Sequence, residues 1–265
     1  MNQNLHRPLV SVIMPAYNAA EFLEEAVASV RAQTVTDWEL LVIDDCSTDD
    51  TRRILERIAA GDPRVRLLRN SENLGAAGSR NRGLEIFRGK YVAMLDSDDY
   101  WYPTMLQKML NKAEETGADI IYCAYELVDE EGRKVCSDFR VPDATSFRES
   151  IVRSVITCST VLVTGELAGS HRFPTNLYHE DIALWFQILR EGGTARGVDE
   201  VLAAYRQRSG SKTANKLKSA ARRWKIYREH LKLPVSVCVT TMVRYGFYGL
   251  KKFRRIRCGE GDQKQ

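Results

Sequence analysis

The chain has 265 residues, 44% hydrophobic and 28% charged, which suffices for a large core in one domain or in two tightly joined halves. Its six cysteines form no CxxC pair and no zinc-type spacing with the four histidines, which excludes a disulfide framework and points to buried thiols. The net charge of +4 conceals an asymmetry: residues 211–265 carry 15 Lys and Arg against 3 Asp and Glu, leaving residues 1–210 acidic, so two regions with different partners are expected. The N-terminus, Met-Asn-Gln-Asn-Leu-His-Arg-Pro, lacks the apolar stretch of a secretory signal, and a cytoplasmic location is expected.

The first hundred residues alternate strand and helix patterns. Val10 to Met14 is a β-rich run closed by Pro15, and Phe22, Ala26 and Val30 then share a helical face. Glu39 to Ile43 predicts a second strand ending in Asp44-Asp45, followed by a helix with the stripe Ile54, Leu55 and Ile58 that Gly61 stops. Val65 to Leu68 predicts a third strand, residues 73–87 a loop and helix, and Tyr91 to Leu95 a fourth strand running into Asp96-Ser97-Asp98-Asp99. Repeated strand and helix units with short links predict an α/β fold with a mostly parallel, doubly wound, Rossmann-like sheet.

Beyond the acidic cluster, Pro103 fits the first turn of a helix with the core face Met105, Leu106, Met109, Leu110 and Ala113, closed by Gly117. Residues 120–125 read as a buried strand, 128–135 as a hairpin around Asp129-Glu130-Glu131-Gly132, and 160–163 as a further strand. From Asp181 the spacing of Ile182, Trp185, Ile188 and Leu189 predicts a helix ended by Gly192-Gly193.

Three aspartates within four residues repel one another, and gathering them at a strand end calls for a compensating cation, most simply a hard divalent metal. Alone, the cluster is equally a turn and helix cap. In a parallel sheet, however, the tips Pro15-Ala16-Tyr17-Asn18, Asp44-Asp45-Cys46-Ser47 and Asp96-Ser97-Asp98-Asp99 share one edge and line one crevice. Those residue types suit a nucleoside diphosphate: Tyr17 to stack on a base, Asp45 to accept from a base N–H or ribose hydroxyl, and metal-bound Asp98 to hold the diphosphate. Tyr17 as a core aromatic and Arg80 as a solvated arginine are the plain alternatives. The loop from Asn73 to Gly83 lacks GxGxxG spacing, and no GxxxxGK[ST] occurs.

The segments VSVIMPAYN (10–18), LVIDDCSTDDT (41–51), NLGAAGSRNRG (73–83) and YVAMLDSDDY (91–100) together resemble the ordered motifs of family 2 glycosyltransferases with the GT-A fold. Tyr178 to Trp185 resembles that family's Glu-Asp motif, and Tyr205-Arg206 with Ser209-Gly210-Ser211 its post-catalytic loop. The whole length is similar to bacterial enzymes of cell-wall and capsular polysaccharide assembly, of the teichuronic acid type in particular. The resemblance implies a donor-binding half over 1–100, an acceptor-binding and catalytic half over 101–214, and an inverting transfer from a nucleotide sugar, a UDP-sugar foremost, to a glycan or lipid-linked glycan. It places Pro15, Tyr17 and Asp45 in the nucleoside pocket and Arg80 near the donor. Asp96 and Asp98 become the DxD acids for Mn²⁺ or Mg²⁺, with Asp98 the main ligand, Asp99 faces the sugar or acceptor, and Asp181 is the general base. The Gln-x-x-Arg-Trp motif of processive synthases is missing after Asp181, which implies addition of a single sugar. Arg208 stands where related enzymes often carry a His; it can pair with phosphate but cannot ligate metal. The alternatives are a sugar nucleotidyltransferase and an inactive nucleotide-sugar-binding subunit.

Residues 215–265 read as a basic helical extension: a helix over 215–233 with Leu217, Ala221, Trp224 and Tyr227 or Arg228 near one face, then an apolar stretch from Val235 to Leu250 that runs into Lys251-Lys252-Phe253-Arg254-Arg255-Ile256-Arg257. An arginine within about 17 residues makes it short for a membrane span, which needs about 20 apolar residues. The expectation is peripheral contact of residues 234–257 with anionic membrane at the inner face, the alternative a helix packed on the domain; no nucleic-acid module accompanies it.

Overall fold

The computed structural model describes residues 7–207 and 216–259, with backbone alone at 216–217 and 249–259. The chain opens with four strands and three helices in alternation: β1 (Val10–Ala16), α1 (Leu23–Arg31), β2 (Trp38–Asp44), α2 (Thr51–Gly61), β3 (Val65–Arg69), α3 (Gly75–Ile86) and β4 (Tyr91–Met94). It continues through β5 (Tyr100–Trp101), α4 (Met105–Thr116), β6 (Ile120–Val128), α5 (Phe147–Arg153), β7 (Val161–Thr164), α6 (Gly165–Ser170), α7 (Glu180–Arg190), β8 (Ala195–Arg206), α8 (Lys216–Lys225) and α9 (Val235–Gly259).

All eight strands form one sheet in the order β3-β2-β1-β4-β7-β6-β8-β5. β1 to β4 are mutually parallel, as the alternating pattern predicts. Beyond β4 the sheet is mixed: β7 is antiparallel to β4 and β6, whereas β6 and β8 are parallel with register shifts at Ala124. Alternate residues of β1 point to opposite sides, so Val10, Val12 and Met14 join one core and Ile13 the other. Helices α1, α2 and α4 cover the first face, and α3, α6 and α7 the second. Gly83 on α3 lets that helix lie close to β1, since a Cβ there would come within 2.6 Å of Ile13.

Chain order and sheet order conflict at one place. β5 follows β4 after five residues, yet four strand spacings, about 19 Å in a flat sheet, separate them. The link is not stretched, because Asp99 N–H donates to Asp96 C=O at 3.1 Å in a turn. The sheet therefore curls until β5 pairs with β8, Tyr100 beside Ala204, and the acidic loop spans the closure.

Several expectations are adjusted. The hairpin over 128–135 forms its turn, with Asp129 N–H bonded to Arg133 C=O and Gly132 at φ 78°, but its return limb makes isolated bridges to β6 and no second strand. β8 carries no clear periodicity in sequence and is the largest element that pattern reading misses. The single helix over 215–233 is instead α8 followed by a wider π-type turn at Ile226–His230; Arg223, Ile226 and Tyr227 point inward, while Ala221 and Trp224 are exposed. Cys46, Cys123, Cys136, Cys158 and Cys238 are free thiols.

The extension packs on the domain. Ile226, Tyr227, Leu231, Leu233 and Cys238 form a third apolar cluster with Ile151 and Val152 of α5 and Ala183 and Phe186 of α7. Tyr227 is fully buried, stacks on Phe186 and donates its hydroxyl to Ile151 C=O. Tyr227→Ala is therefore expected to cost about 3–5 kcal/mol in urea denaturation, whereas an extension merely hanging from the domain would show almost no change.

Candidate functional site

In the order β3-β2-β1-β4 the chain moves outward from β1 to β3 and then returns to the other side of β1. That reversal opens a crevice at the carboxyl edge, where such sheets take their ligands. A cleft of about 510 Å³ lies there, lined by Pro15, Tyr17, Asp45, Ser79, Arg80, Asp96 and Asp98 among others. The structure thus brings the tips of β1, β2 and β4 together. Tyr17 is half exposed on the wall and is not a core aromatic. The two neighbouring tips are tied backbone to side chain, with Asn18 N–H donating to Ser47 Oγ at 3.1 Å and Thr48 N–H to Asn18 Oδ1 at 2.8 Å.

Asp45 is buried and already engaged. Its Oδ1 accepts from Asn70 Nδ2 (2.7 Å) and Leu74 N–H (2.8 Å), and its Oδ2 from Gly75 N–H (2.8 Å). These last two are unpaired donors at the start of α3, and the carboxylate caps them and complements the helix dipole. Gly75 adopts φ 70°, a conformation other residues take at a cost. Of the roughly four acceptor positions on a carboxylate, about one is left for a ligand.

Arg80, on the buried face of α3, is the cation of the site rather than a solvated side chain. Its guanidinium pairs with Asp96 Oδ1 at 2.5 Å and Glu180 Oε1 at 2.8 Å, and lies 5.4 Å from the centre of the Phe173 ring. Its Nε is buried without a hydrogen-bond partner. Burial opposes its charge, but Asp96, Cys158 and Glu180 raise its pKa well above the usual value.

Asp99 is the residue whose expected placement the structure overturns. It is buried, with Oδ1 accepting from Arg206 N–H at 2.8 Å and Oδ2 from Ser159 Oγ–H at 2.5 Å, so it braces the loop instead of facing the sugar or acceptor. Burial, then the charges of Asp98 and Asp96, push its pKa well above the carboxylate range. Ser159 Oγ also accepts from Asp96 N–H at 3.2 Å, which fixes the start of the acidic loop through the same hydroxyl.

Asp181 sits half-buried in the first turn of α7, with Glu180 beside it. Burial and the Glu180 charge raise its pKa to about 6, with Arg80 opposing. His179, which precedes the helix, is held neutral with a pKa near 4 by burial and by Arg223 and Arg222. His171 faces the far end of α7, on Glu191 at 3.0 Å. Burial pushes the Cys158 thiol well up, which removes it as a nucleophile. Arg208 lies outside the described residues.

Two residues gain importance that sequence reading did not give them. Arg206 at the end of β8 is buried, and its guanidinium donates to the carbonyls of Asp98 (2.9 Å), Glu130 (2.8 Å) and Asp129 (3.2 Å), reaches Glu25, and lies over the Phe22 ring. Tyr205 is 40% exposed, and its hydroxyl lies in the field of Asp99, Asp96, Asp98 and Asp181, which places it at the junction of the acidic loop and α7. The only sequence signal for either was the Tyr-Arg pair.

Among the described residues no group of three or more His, Cys, Asp or Glu forms a metal cage. Asp98 and Asp96, both on the cleft wall, present the oxygen donors that a divalent ion would take.

The fold and the acid-lined cleft define a sugar-transferring enzyme of the GT-A class. The chain belongs to glycosyltransferase family 2: residues 11–146 match the family model described as glycosyl transferase family 2. It is 37% identical over 246 residues to a putative teichuronic acid biosynthesis glycosyltransferase, TuaG, of Bacillus subtilis, covering 93% of this chain and 98% of that one. It is 32% identical to the UDP-Glc:alpha-D-GlcNAc-diphosphoundecaprenol beta-1,3-glucosyltransferase WfgD of Escherichia coli, covering 92% and 94%. Its fold is similar to that of S. aureus TarS in complex with UDP-GlcNAc, with a TM-score of 0.69 and 20% identity over 89% of this chain and 71% of that one.

Arg206→Lys keeps the charge but loses the fork that reaches three carbonyls. The expected cost is about 1–3 kcal/mol in denaturant unfolding, together with weaker UDP binding by calorimetry as the loop bearing Asp98 loosens. Unchanged values for both would show that the fork does not hold the loop.

Proposed function

We propose that the protein transfers a single sugar, with inversion, from a UDP-sugar to a hydroxyl of a lipid-linked glycan, in cell-wall or capsular polysaccharide assembly at the cytoplasmic face of the membrane. The observation that carries this reading is a cleft with Asp96 and Asp98 on its wall, Asp96 tied through Arg80 to Glu180, next to which Asp181 has its pKa raised to about 6. The choice of donor and acceptor draws on the WfgD name, which gives UDP-Glc and a diphosphoundecaprenol-linked sugar, and on the UDP-GlcNAc held by TarS.

In this reading Tyr17 stacks on the base and Asp45 offers its remaining acceptor position to a base N–H or ribose hydroxyl. Asp98, with Asp96 beside it, would hold a Mn²⁺ or Mg²⁺ ion, whose charge would offset that of the departing diphosphate. Arg80 keeps Asp96 and Glu180 paired, so neither carboxylate is left uncompensated inside the cleft wall. Asp181 takes the proton from the acceptor hydroxyl as that oxygen bonds to the anomeric carbon and the carbon–phosphate oxygen bond breaks. A carboxylate with a pKa near 6 is ionised at neutral pH yet more basic than an ordinary one, which suits this step. No covalent sugar–enzyme intermediate is required.

Asp181→Asn is expected to lower kcat about 10²–10⁴-fold with UDP binding by calorimetry retained, because the amide fills the space but takes no proton. Activity undiminished in Asp181→Asn or in Asp98→Ala would overturn the assigned roles. The pH profile follows from the same group. Asp181 must be ionised to act, so kcat is expected to fall as pH drops through about 6 and to level off above it, and this limb should vanish in Asp181→Asn. Chelation should abolish transfer, and added Mn²⁺ or Mg²⁺ should restore it; turnover that persists in chelator would remove the metal from the reading.

A further inference from the structure

The packing of α9 leaves an unusual face in solvent. Cys238 and Thr241 are buried, and Met242 and Tyr248 pack against the cluster shared with α5 and α7. Arg223 from α8 lies 4.5 Å from the Tyr245 ring, and Arg153 from α5 lies 5.3 Å from the Tyr248 ring. These contacts fix which way the helix faces. On the opposite side Val235, Val239, Val243 and Phe247 recur every fourth residue and are 53%, 48%, 53% and 70% exposed. They form a continuous apolar strip.

Helix propensity does not explain the strip, since valine is a poor helix former and an exposed helical face ordinarily carries Lys, Glu or Ala. Charge supplies the second observation. Residues 235–259 contain no Asp or Glu, while Arg244, Lys251, Lys252, Arg254, Arg255 and Arg257 fall on the same continuous helix. An apolar strip on a helix with charge of one sign fits the boundary of a bilayer bearing anionic headgroups. The helix is not built to cross one, as no helix among the described residues is long and apolar enough. Pairing with a second copy would press two cation-rich, acid-free helices together.

We propose that the outward face of α9, centred on Val239, Val243 and Phe247, seats in the headgroup boundary of an anionic phospholipid bilayer. The inference rests on the reading above only in giving the seat a purpose, namely to meet a lipid-linked acceptor. The inward face of α9 packs in one cluster with Ala183 and Phe186 of α7, the helix whose first turn carries Glu180 and Asp181. The seat and the base belong to the same packed block, so a protein docked by this face holds its crevice at a fixed attitude to the surface where such an acceptor lies.

The test is co-sedimentation of the full chain with vesicles of phosphatidylglycerol and phosphatidylcholine in equal parts. Binding is expected to the mixed vesicles, to weaken with salt, and to be slight on phosphatidylcholine alone. The doublet Val243→Glu with Phe247→Glu should cut the bound fraction about tenfold or more while leaving thermal unfolding and UDP binding unchanged. A Phe247→Trp variant reads the same contact without adding charge: its fluorescence should shift to the blue on adding the mixed vesicles. Wild-type binding by the doublet, no vesicle binding by the wild type, or no shift at Trp would each overturn the proposal. So would a concentration-dependent dimer, seen by sedimentation velocity and abolished by the doublet, which would assign the strip to a second copy. UDP binding and transfer to a water-soluble acceptor are read separately, so failure of the transferase reading leaves the vesicle result standing, and the reverse.

Discussion

The carboxyl group of Asp99 is the point on which the site depends. It lies in the loop that must carry the chain from β4 in the parallel half of the sheet to β5 at its far edge, and it bonds to β8 through Arg206 N–H and to the segment before β7 through Ser159. Those bonds help hold a short acidic loop across the closure of a curled sheet against the mutual repulsion of its three carboxylates. Burial and the neighbouring Asp98 and Asp96 charges push the pKa of one of the three up, and the other two remain on the cleft wall. Asp99 and the cleft-wall residues Asp96 and Asp98 thus differ by environment, though all are aspartates. Arg206 supplies the complementary restraint on the backbone side by donating to the Asp98 carbonyl.

A second balance is set by Arg80. Several acids converge on one region, and one buried guanidinium sits between Asp96 and Glu180. Removing a charge partner from such a pair is costly, since it strands a desolvated carboxylate, so the arginine ties the acidic loop to the start of α7 by electrostatics as firmly as by geometry. The same guanidinium moderates Asp181. Burial and Glu180 raise that carboxyl, Arg80 lowers it, and the outcome near 6 leaves it ionised but basic. The proton abstraction proposed for Asp181 needs this compromise, because a carboxyl raised much further would be protonated at neutral pH.

The parallel half was legible because its signals are local. β1, β2 and β4 are short buried runs followed by distinctive polar tips, and their parallel order forces those tips to one edge. Helix ends were readable where glycine enforces them, as at Gly117 with φ 63° and Gly192 with φ 106°. What resisted reading was non-local. β8 pairs with β6 through register shifts and with the two-residue β5, so its residues show neither period 2 nor period 3.6. The Asp99 error had the same origin: three adjacent aspartates look alike in sequence, and which one is buried depends on Ser159 and Arg206, 60 and 107 residues away. Asp45 is the intermediate case, visible as a strand-tip acid but not as the cap of α3.

The C-terminal extension shows why composition alone gives an incomplete account of a basic tail. Its charge suggested a separate surface element, yet Arg223 is buried between the Phe186 and Tyr245 rings and donates to Ser154 Oγ at 2.6 Å, so one of its cations is a packing residue. Arg222 lies 3.2 Å from the Tyr178 ring, directly before the His179-Glu180-Asp181 turn. The two arginines also suppress protonation of His179, which therefore remains a neutral neighbour of the acidic turn and adds no competing positive charge. α8 and the turn after it thus complete the wall behind α7, and only after that wall is built does the chain enter α9 and turn an apolar face outward. The extension thus packs inward against α5 and α7 while α9 turns an apolar face outward.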